Sequence, residues 1–241
     1  MKISVIVPAF NEEKLIERSL REIKEATGSF FALGWESEII VCDNNSTDRT
    51  AEMARTAGAT VVFEPENQIS RARNTGASAA TGDWLVFIDA DSFPSPELFA
   101  DLAAAIQSGR CLGGGATVKM DQATGWVKYI TPVWNTISRM KHWAAGSFVF
   151  CEAGIFRELG GFSQKLYAAE ELDFSERLKK LARARDRKMV ILHRHPLMTS
   201  PRKGHLYSAR EHLGLLWKTL RHRGENLKNR SHCMLWYDGR R

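Results

Sequence analysis

The chain has 241 residues, of which 44% are hydrophobic and 26% charged. That composition excludes a disordered chain and allows a sizeable core, and no apolar run reaches the roughly 18 residues that mark a membrane span. The net charge of +6 is unevenly placed: residues 200–241 hold 10 Lys or Arg against 3 Asp or Glu, and the other 199 residues hold 24 against 25, so the body is near neutral and a nucleic-acid-binding body is disfavoured.

In chain order, Ile3–Val7 reads as a continuous apolar strand stopped by Pro8. The opening MKISVIVPAFNEE lacks a small-residue cleavage site and is expected to be that strand, not a leader. Asn11 is expected to cap the next helix, with Glu12 and Glu13 in its first turn and Leu15, Ile16, Leu20 and Ile23 as its buried stripe. Glu38–Cys42 predicts a second strand running into Asp43-Asn44-Asn45-Ser46-Thr47-Asp48. Ser46 or Thr47 then caps a helix through Ala57, closed by Gly58, and Thr60–Phe63 is a third strand. The first turn has no GxGxxG and the chain no GxxxxGK[ST] loop, so a dehydrogenase-type dinucleotide fold is disfavoured.

The stretch SRARNTGASAATGDWLVFIDAD (Ser70–Asp91) predicts a short helix that breaks at Gly82 and a strand from Trp84 to Ile88. That strand has no polar alternation, so both its faces are expected to be covered, as in a parallel α/β sheet. Ligands in such sheets bind beyond the carboxyl ends of the strands. Asp89 and Asp91 stand there, and a divalent cation bridging to phosphate is their natural partner. A turn or helix cap is the plainer alternative.

Beyond Asp91, Ser95-Pro96-Glu97 marks a helix start with Pro at its first position, and the helix should reach Ser108 with Gly109 behind it. Cys111–Met120 predicts a strand whose Gly113-Gly114-Gly115 either lies close to a ligand or forms a bulge. Residues 126–143 read as mostly helical, with Trp126, Tyr129, Trp134 and Trp143 as core or as walls of an acceptor site, core ahead. Ser147–Cys151 is another strand, FRELGGF a helix end, and Ala168–Asp173 opens a helix through Leu181. Met189–Leu192 is a last short strand, followed by His193-Arg194-His195. Cys42, Cys111, Cys151 and Cys233 have no CxxC spacing, which disfavours a zinc site or disulfide framework and fits a reducing cytoplasm.

Five stretches occur together and in order: VIVPAFNEE, VCDNNSTDRT, ARNTGASAATGDWLVFIDAD, FRELGGF and AAEELDFSERL. Over residues 1–205 the chain thereby resembles the family 2 glycosyltransferases. The resemblance implies a GT-A nucleotide-diphospho-sugar transferase fold, α/β with a mostly parallel central sheet flanked by helices. Residues 1–120 would bind the nucleotide sugar and residues 121–205 the acceptor. Residues 206–241 would form a basic, amphipathic helical appendage.

The same resemblance implies roles. Pro8, Ala9, Asn11 and Glu12 would line the nucleotide cleft, and Asp43 would accept a hydrogen bond from a nucleobase ring N–H, which favours uracil. Arg71 would offset phosphate or carboxylate charge. Asp89 would contact ribose or a metal-bound water, and Asp91 would bind the Mn²⁺ or Mg²⁺ that bridges the diphosphate. The family's base is the second acid of an E-D pair; here the pair is Glu170-Glu171, with Glu171 favoured, Glu170 second, and Asp173 in support. His193 and His195 stand where some relatives place a metal or phosphate ligand.

The expected activity is inverting, metal-assisted transfer from a UDP-sugar to a sugar- or lipid-linked hydroxyl acceptor. The alternatives are an inactive nucleotide-sugar-binding scaffold and, further behind, a nucleotidyltransferase of similar fold. A cytoplasmic location is expected, at the inner face of the membrane if the strip Leu213, Leu215, Leu216, Trp217 and Leu220 lies in an anionic interface. Packing of that strip on the catalytic domain or on a second copy in a homodimer is the competing expectation.

Overall fold

The computed structural model describes residues 1–121, 127–200, 225–229 and 232–233. Its first half is a βα repeat: β1 (Lys2–Ala9), α1 (Ile16–Phe31), β2 (Glu36–Asp43), α2 (Thr50–Thr56), β3 (Thr60–Phe63), α3 (Ile69–Ala79) and β4 (Trp84–Ile88). These four strands pair in parallel, in the spatial order β3-β2-β1-β4. All five residues of β4 are buried. Alternate residues feed opposite cores: Trp84, Val86 and Ile88 join the layer of α1, and Leu85 and Phe87 join the other. A strand with two buried faces needs that unbroken apolar run.

The second half adds β5 (Ser92–Phe93), α4 (Pro96–Gln107), β6 (Cys111–Met120), α5 (Val127–Lys141), β7 (Phe148–Glu152), α6 (Ala153–Glu158), α7 (Glu170–Ala184) and β8 (Lys188–Thr199). The sheet continues β4-β7-β6-β8-β5. β6 and β8 are parallel, whereas β7 runs antiparallel to both β4 and β6. The sheet is thus mostly parallel with a reversed strand at its centre. The reversal sets the start of β7 beside the end of β4, with Phe148 opposite Ile88.

Several local expectations give way to tertiary contacts. β1 runs through Pro8 to Ala9, because its pairing with β4 ends at Ile6 and no ladder N–H is needed on that edge beyond it. Asn11 does not cap α1, which starts at Ile16. Instead the amide of Leu15 and that of Ile16 bond to the Glu12 carbonyl, and Asn11 takes φ 53° and reaches to the next loop. Neither Ser46 nor Thr47 caps α2; Asp48 accepts from the Thr50 amide (2.9 Å) and hydroxyl at its start. Ser95 does cap α4, accepting from the Leu98 amide. The final strand is 12 residues long and contains both histidines. The expected appendage falls largely outside the described residues, including Leu213–Leu220. Its described piece, Glu225–Lys228, meets the body where the Tyr167 amide donates to the Leu227 carbonyl at 2.8 Å. Among the described residues no helix is long and apolar enough to cross a membrane.

The glycine run Gly113–Gly115 does open on an irregularity, a register shift of β6 against β8 between Cys111 and Gly113, and beyond it the glycines answer to strand packing. All three are buried in β6, and a Cβ on Gly114 would lie 1.9 Å from the Val190 carbonyl oxygen of β8. On Gly113 it would lie 2.4 Å from the Phe150 carbonyl of β7. The backbones of three strands close on one another here, so no side chain fits. Gly114→Ala should therefore cost about 3 kcal/mol or more and lower Tm by roughly 6–12 °C in thermal melting, or give insoluble protein. Gly28→Ala, in helix α1 with open space around its Cβ, should leave Tm unchanged or slightly raised.

Candidate active site

The carboxyl ends of β1, β2 and β4 open onto one side of the sheet. The Asn44 amide donates to the Ala9 carbonyl (2.8 Å), locking the ends of β1 and β2 together. Asn11 and Asn45 both adopt positive φ, at 53° and 66°, a region that Asn tolerates better than most residues. From there Asn11 Oδ1 accepts from the Thr47 amide (2.8 Å), and the Asn11 amide donates to Ser46 Oγ (3.0 Å). Asp43 Oδ1 accepts from the Ser46 amide (3.1 Å), and the Glu12 amide donates to Thr50 Oγ1 (2.7 Å). These bonds frame a cleft of about 410 Å³ lined by Phe10, Asn45, Thr47, Glu66, Gln68 and Tyr167, within the size range of small-molecule sites. Arg71 stands at its rim, paired with Glu66 (3.0 Å) and Gln68 (3.2 Å).

The charged centre is Arg73, 2% exposed. Its Nη2 donates to Asp89 Oδ1 (3.0 Å) and to the Gly146 carbonyl (2.7 Å), and its Nη1 to Glu170 Oε1 (2.8 Å). The guanidinium also lies over the Phe162 ring at 5.2 Å. Burial works against its charge, and Asp89, Glu170 and Glu171 more than restore it, raising its pKa further. Three elements meet on this one cation: α3 supplies it, β4 ends in Asp89, and α7 begins with the acid pair.

The acid pair is held at a defined entry. Ala169, just before it, takes a left-handed conformation (φ 61°, ψ 21°) without a side-chain cap, a strained state that the surroundings must impose. Asn74 clasps the Phe162 backbone, donating to its carbonyl and accepting from its amide, both at 2.9 Å. Arg177 bonds the Leu159 and Gly161 carbonyls and Asp173. Gly146 lies against Glu171: a Cβ there would meet the carboxyl carbon at 3.3 Å and Arg73 Nη2 at 3.4 Å. Glu170 is bound to Arg73, while Glu171 is only half-buried. Burial first, and then the charge of Glu170, push the Glu171 carboxyl up to about 8. The described end of the chain lies on this side too, since burial and then Glu170's charge raise the Cys233 thiol to about 11.

Pro8, Ala9, Asn11, Glu12 and Asp43 lie at the ends of β1 and β2 and in the loop after β1, flanking Phe10, which itself lines the cleft, and Arg71 pairs with the lining residues Glu66 and Gln68. Asp89 and the acid pair are tied together through Arg73. Asp91, 6% exposed, follows β4, and its carbonyl accepts from the Ser200 amide at 2.9 Å. The histidines point elsewhere: His195 Nδ1 contacts Asp101 of α4 (3.0 Å), and His193 Nδ1 the carbonyl of Ile191 (3.2 Å). They lie where β8 leaves its register with β6, between Leu192 and Leu197. Asp173 pairs with Arg177 at 2.8 Å. The residue missed in the sequence is Arg73. Its signal was the three-residue spacing to Gly76, which puts both on one helix face; Gly76 packs so tightly on Ile6 that a Cβ would come within 2.5 Å.

Comparisons with known proteins bear on the family and the fold. Residues 4–159 match the profile of Glycosyl transferase family 2. A dolichol-phosphate mannosyltransferase of Pyrococcus furiosus is 33% identical over 135 residues, 54% of this chain and 37% of that protein. Across the curated relatives, matches span between 24% and 37% of their length. The fold is similar to the mannosyltransferase PcManGT from Pyrobaculum calidifontis, in complex with GDP-Man and Mn²⁺, with TM-score 0.64 and 22% identity over 94% of this chain and 62% of that one. It is also similar to S. aureus TarS in complex with UDP-GlcNAc, with TM-score 0.63 and 21% identity over 83% and 58%. With its profile matched over more than half its length and its sheet that of the GT-A neighbours, the chain belongs to glycosyltransferase family 2.

Proposed function

We propose that this protein transfers a sugar, with inversion, from a nucleoside-diphosphate sugar to a hydroxyl acceptor, with UDP as the favoured carrier. The observation that carries the reading is the Arg73 network. One buried cation joins Asp89, at the end where a diphosphate would bind, to the acid pair that would face the acceptor. In this reading the cleft by Phe10 and Tyr167 takes the nucleobase, and Asp43 accepts its ring N–H through the carboxylate oxygen that the Ser46 amide leaves free. The solved complexes of PcManGT with GDP-Man and TarS with UDP-GlcNAc support a nucleotide sugar as donor.

The residues present suit a hard divalent cation held jointly with substrate. Asp89 and Asp91 offer oxygen donors, and among the described residues no group of three acids, histidines or cysteines gathers into a cage. Mn²⁺ or Mg²⁺ binds in this way, through one or two carboxylates plus phosphate oxygens. Asp91 and Asp89 would hold the ion, and when bound it would supply positive charge beside the departing diphosphate. His193 and His195, turned toward α4 and their own strand, are left out of this proposal.

Glu171 is the proposed base. Glu170 is committed to Arg73, whereas Glu171 stands half-buried beside Gly146 with its affinity for protons raised. Once ionised, a carboxylate of this basicity is well matched to take a hydroxyl proton near neutral pH. Arg73 keeps Glu170 and Asp89 charged and in place without taking part in proton transfer.

Three outcomes test this reading. Calorimetry should show UDP binding that weakens at least ~10-fold when EDTA replaces Mn²⁺ and that loses its metal dependence in Asp91→Asn; equal affinity with and without metal in the unaltered protein would sink the metal role. Glu171→Gln should lower turnover of UDP-sugar by ~10²–10⁴ with donor binding kept, and kcat/KM of the unaltered protein should rise with pH through about 8. Full activity in Glu171→Gln, with loss in Glu170→Gln, would move the base back by one residue.

The same raised carboxyl has a stability consequence of definite sign. Between the ordinary carboxylate range and about 8, the unfolded chain releases a proton that folded Glu171 keeps, so stability falls as pH rises. Glu171→Gln removes that loss. In thermal melts its Tm should match that of the unaltered protein near pH 4 and exceed it above pH 8.

A further inference from the structure

Helix α5 packs the opposite way round from an ordinary surface helix. Its inward face carries Thr131, 9% exposed, and Ser138, fully buried, together with Asn135, whose amide bonds both the amide and the carbonyl of Val118. Its outward face carries Tyr129, Ile130, Val133, Ile137 and Met140, each 39–75% exposed. Positions 130, 133, 137 and 140 fall three or four apart, so these side chains form one stripe along the helix. Only Trp134 turns from the inner side into the core. A helix that buries its hydroxyls and offers its branched aliphatics outward has an apolar partner that the rest of the described chain does not supply.

Charge says what kind of partner it is. Lys128, Arg139 and Lys141 are exposed, Lys141 one turn beyond Ile137 beside the stripe and the other two on the flank toward the polar side, and α5 contains no acid. A second copy docked face to face would set these cations against their own equivalents. The segment 200–241 carries the apolar strip Leu213–Leu220, but with 10 Lys or Arg against 3 Asp or Glu its charge is of the same sign as that of α5. An anionic lipid surface complements both the stripe and the cations of α5. We infer that the outward face of α5 seats the protein on an anionic phospholipid bilayer, with Ile130, Val133, Ile137 and Met140 in the interface and the three cations at the headgroups. The seat adjoins the chemistry, because five residues beyond Lys141 the chain reaches Gly146, the wall of Glu171 and Arg73. Docking itself does not depend on the donor reaction.

Co-sedimentation of the full chain with phosphatidylcholine vesicles, with and without phosphatidylglycerol and without nucleotide, tests the inference. Binding should require phosphatidylglycerol and weaken at high salt. It should fall at least ~10-fold in Val133→Asp/Ile137→Asp, and likewise in Lys128→Glu/Arg139→Glu/Lys141→Glu, whose surface positions preserve the fold and whose melting is checked alongside. Absence of binding by the unaltered chain overturns the proposal, as does undiminished binding by both variants. A dimer in light scattering that Val133→Asp/Ile137→Asp splits, without vesicle binding, overturns it in favour of a subunit interface. Because no nucleotide is used, these outcomes leave the transferase reading to its own tests.

Discussion

A single buried guanidinium holds the working end of this molecule together. Arg73 is 2% exposed and faces carboxylates from two elements, Asp89 at 3.0 Å and Glu170 at 2.8 Å, with Glu171 adjoining. Three acids gathered in a poorly hydrated space would repel one another, and an unpaired buried cation would be equally costly. Each side is tolerated only because the other is present. Removing one partner of such a pair typically costs about 3–5 kcal/mol, so α3, the end of β4 and the start of α7 are locked into one arrangement. The lock also accounts for features that look costly in isolation. The left-handed Ala169 presents the acid pair to Arg73, and Gly146 leaves no Cβ between the guanidinium and Glu171.

The sheet makes this meeting geometrically achievable. An all-parallel sheet would carry the chain away from the end of β4 before returning. The antiparallel β7 instead brings Gly146 and Ser147 alongside Asp89, whose amide donates to the Ser147 carbonyl. The three glycines of β6 let that reversed strand and β8 close in on either side. Beyond the ends of β1 and β2 the loops are braced mainly by side chains bonding backbone amides, as Asn11, Asp43 and Asp48 do. On the acid-pair side the corresponding braces are long-range: Asn74 to Phe162, Gln68 to the carbonyls of Gln164 and Leu166, and Arg177 to the Gly160 turn. Helix α3 therefore supports both ends, with Gln68 at its start and Arg73 and Asn74 one turn on.

The Arg73 network also separates the roles of two adjacent identical residues. Glu170 and Glu171 differ by one position, yet the helix turns their side chains about 100° apart. One meets the cation and is spent in an ion pair. The other is left with burial and a neighbouring negative charge, both of which favour its protonated form. The carboxyl of Glu171 lies against Gly146, where the absence of a Cβ leaves room for it.

By itself the sequence determined what depends on near neighbours. Thr60–Phe63, Trp84–Ile88 and Cys111–Met120 are strands with the expected bounds, and in Trp84–Ile88 the unbroken apolar run matches a strand covered on both faces. Ser95-Pro96 starts its helix as expected, since a cap is a contact between residues three apart. The ordered motifs identified the family and placed Asp43, Asp89 and Asp91 at strand ends. Only the tertiary structure decided matters that rest on distant partners. Arg71 and Arg73 look alike in the sequence, but Arg73 alone meets Asp89 and Glu170, 16 and 97 residues away. Asn11 has the chemistry of a helix cap, yet it turns to a loop 36 residues on, because Thr47 offers its amide there. Of the α5 aromatics expected mainly in the core, Trp134 packs there while Tyr129 is exposed, and Val118, by bonding Asn135, holds the polar side of the helix inward. Periodicity reports that a helix has two faces; the partner packed against it decides which one is buried.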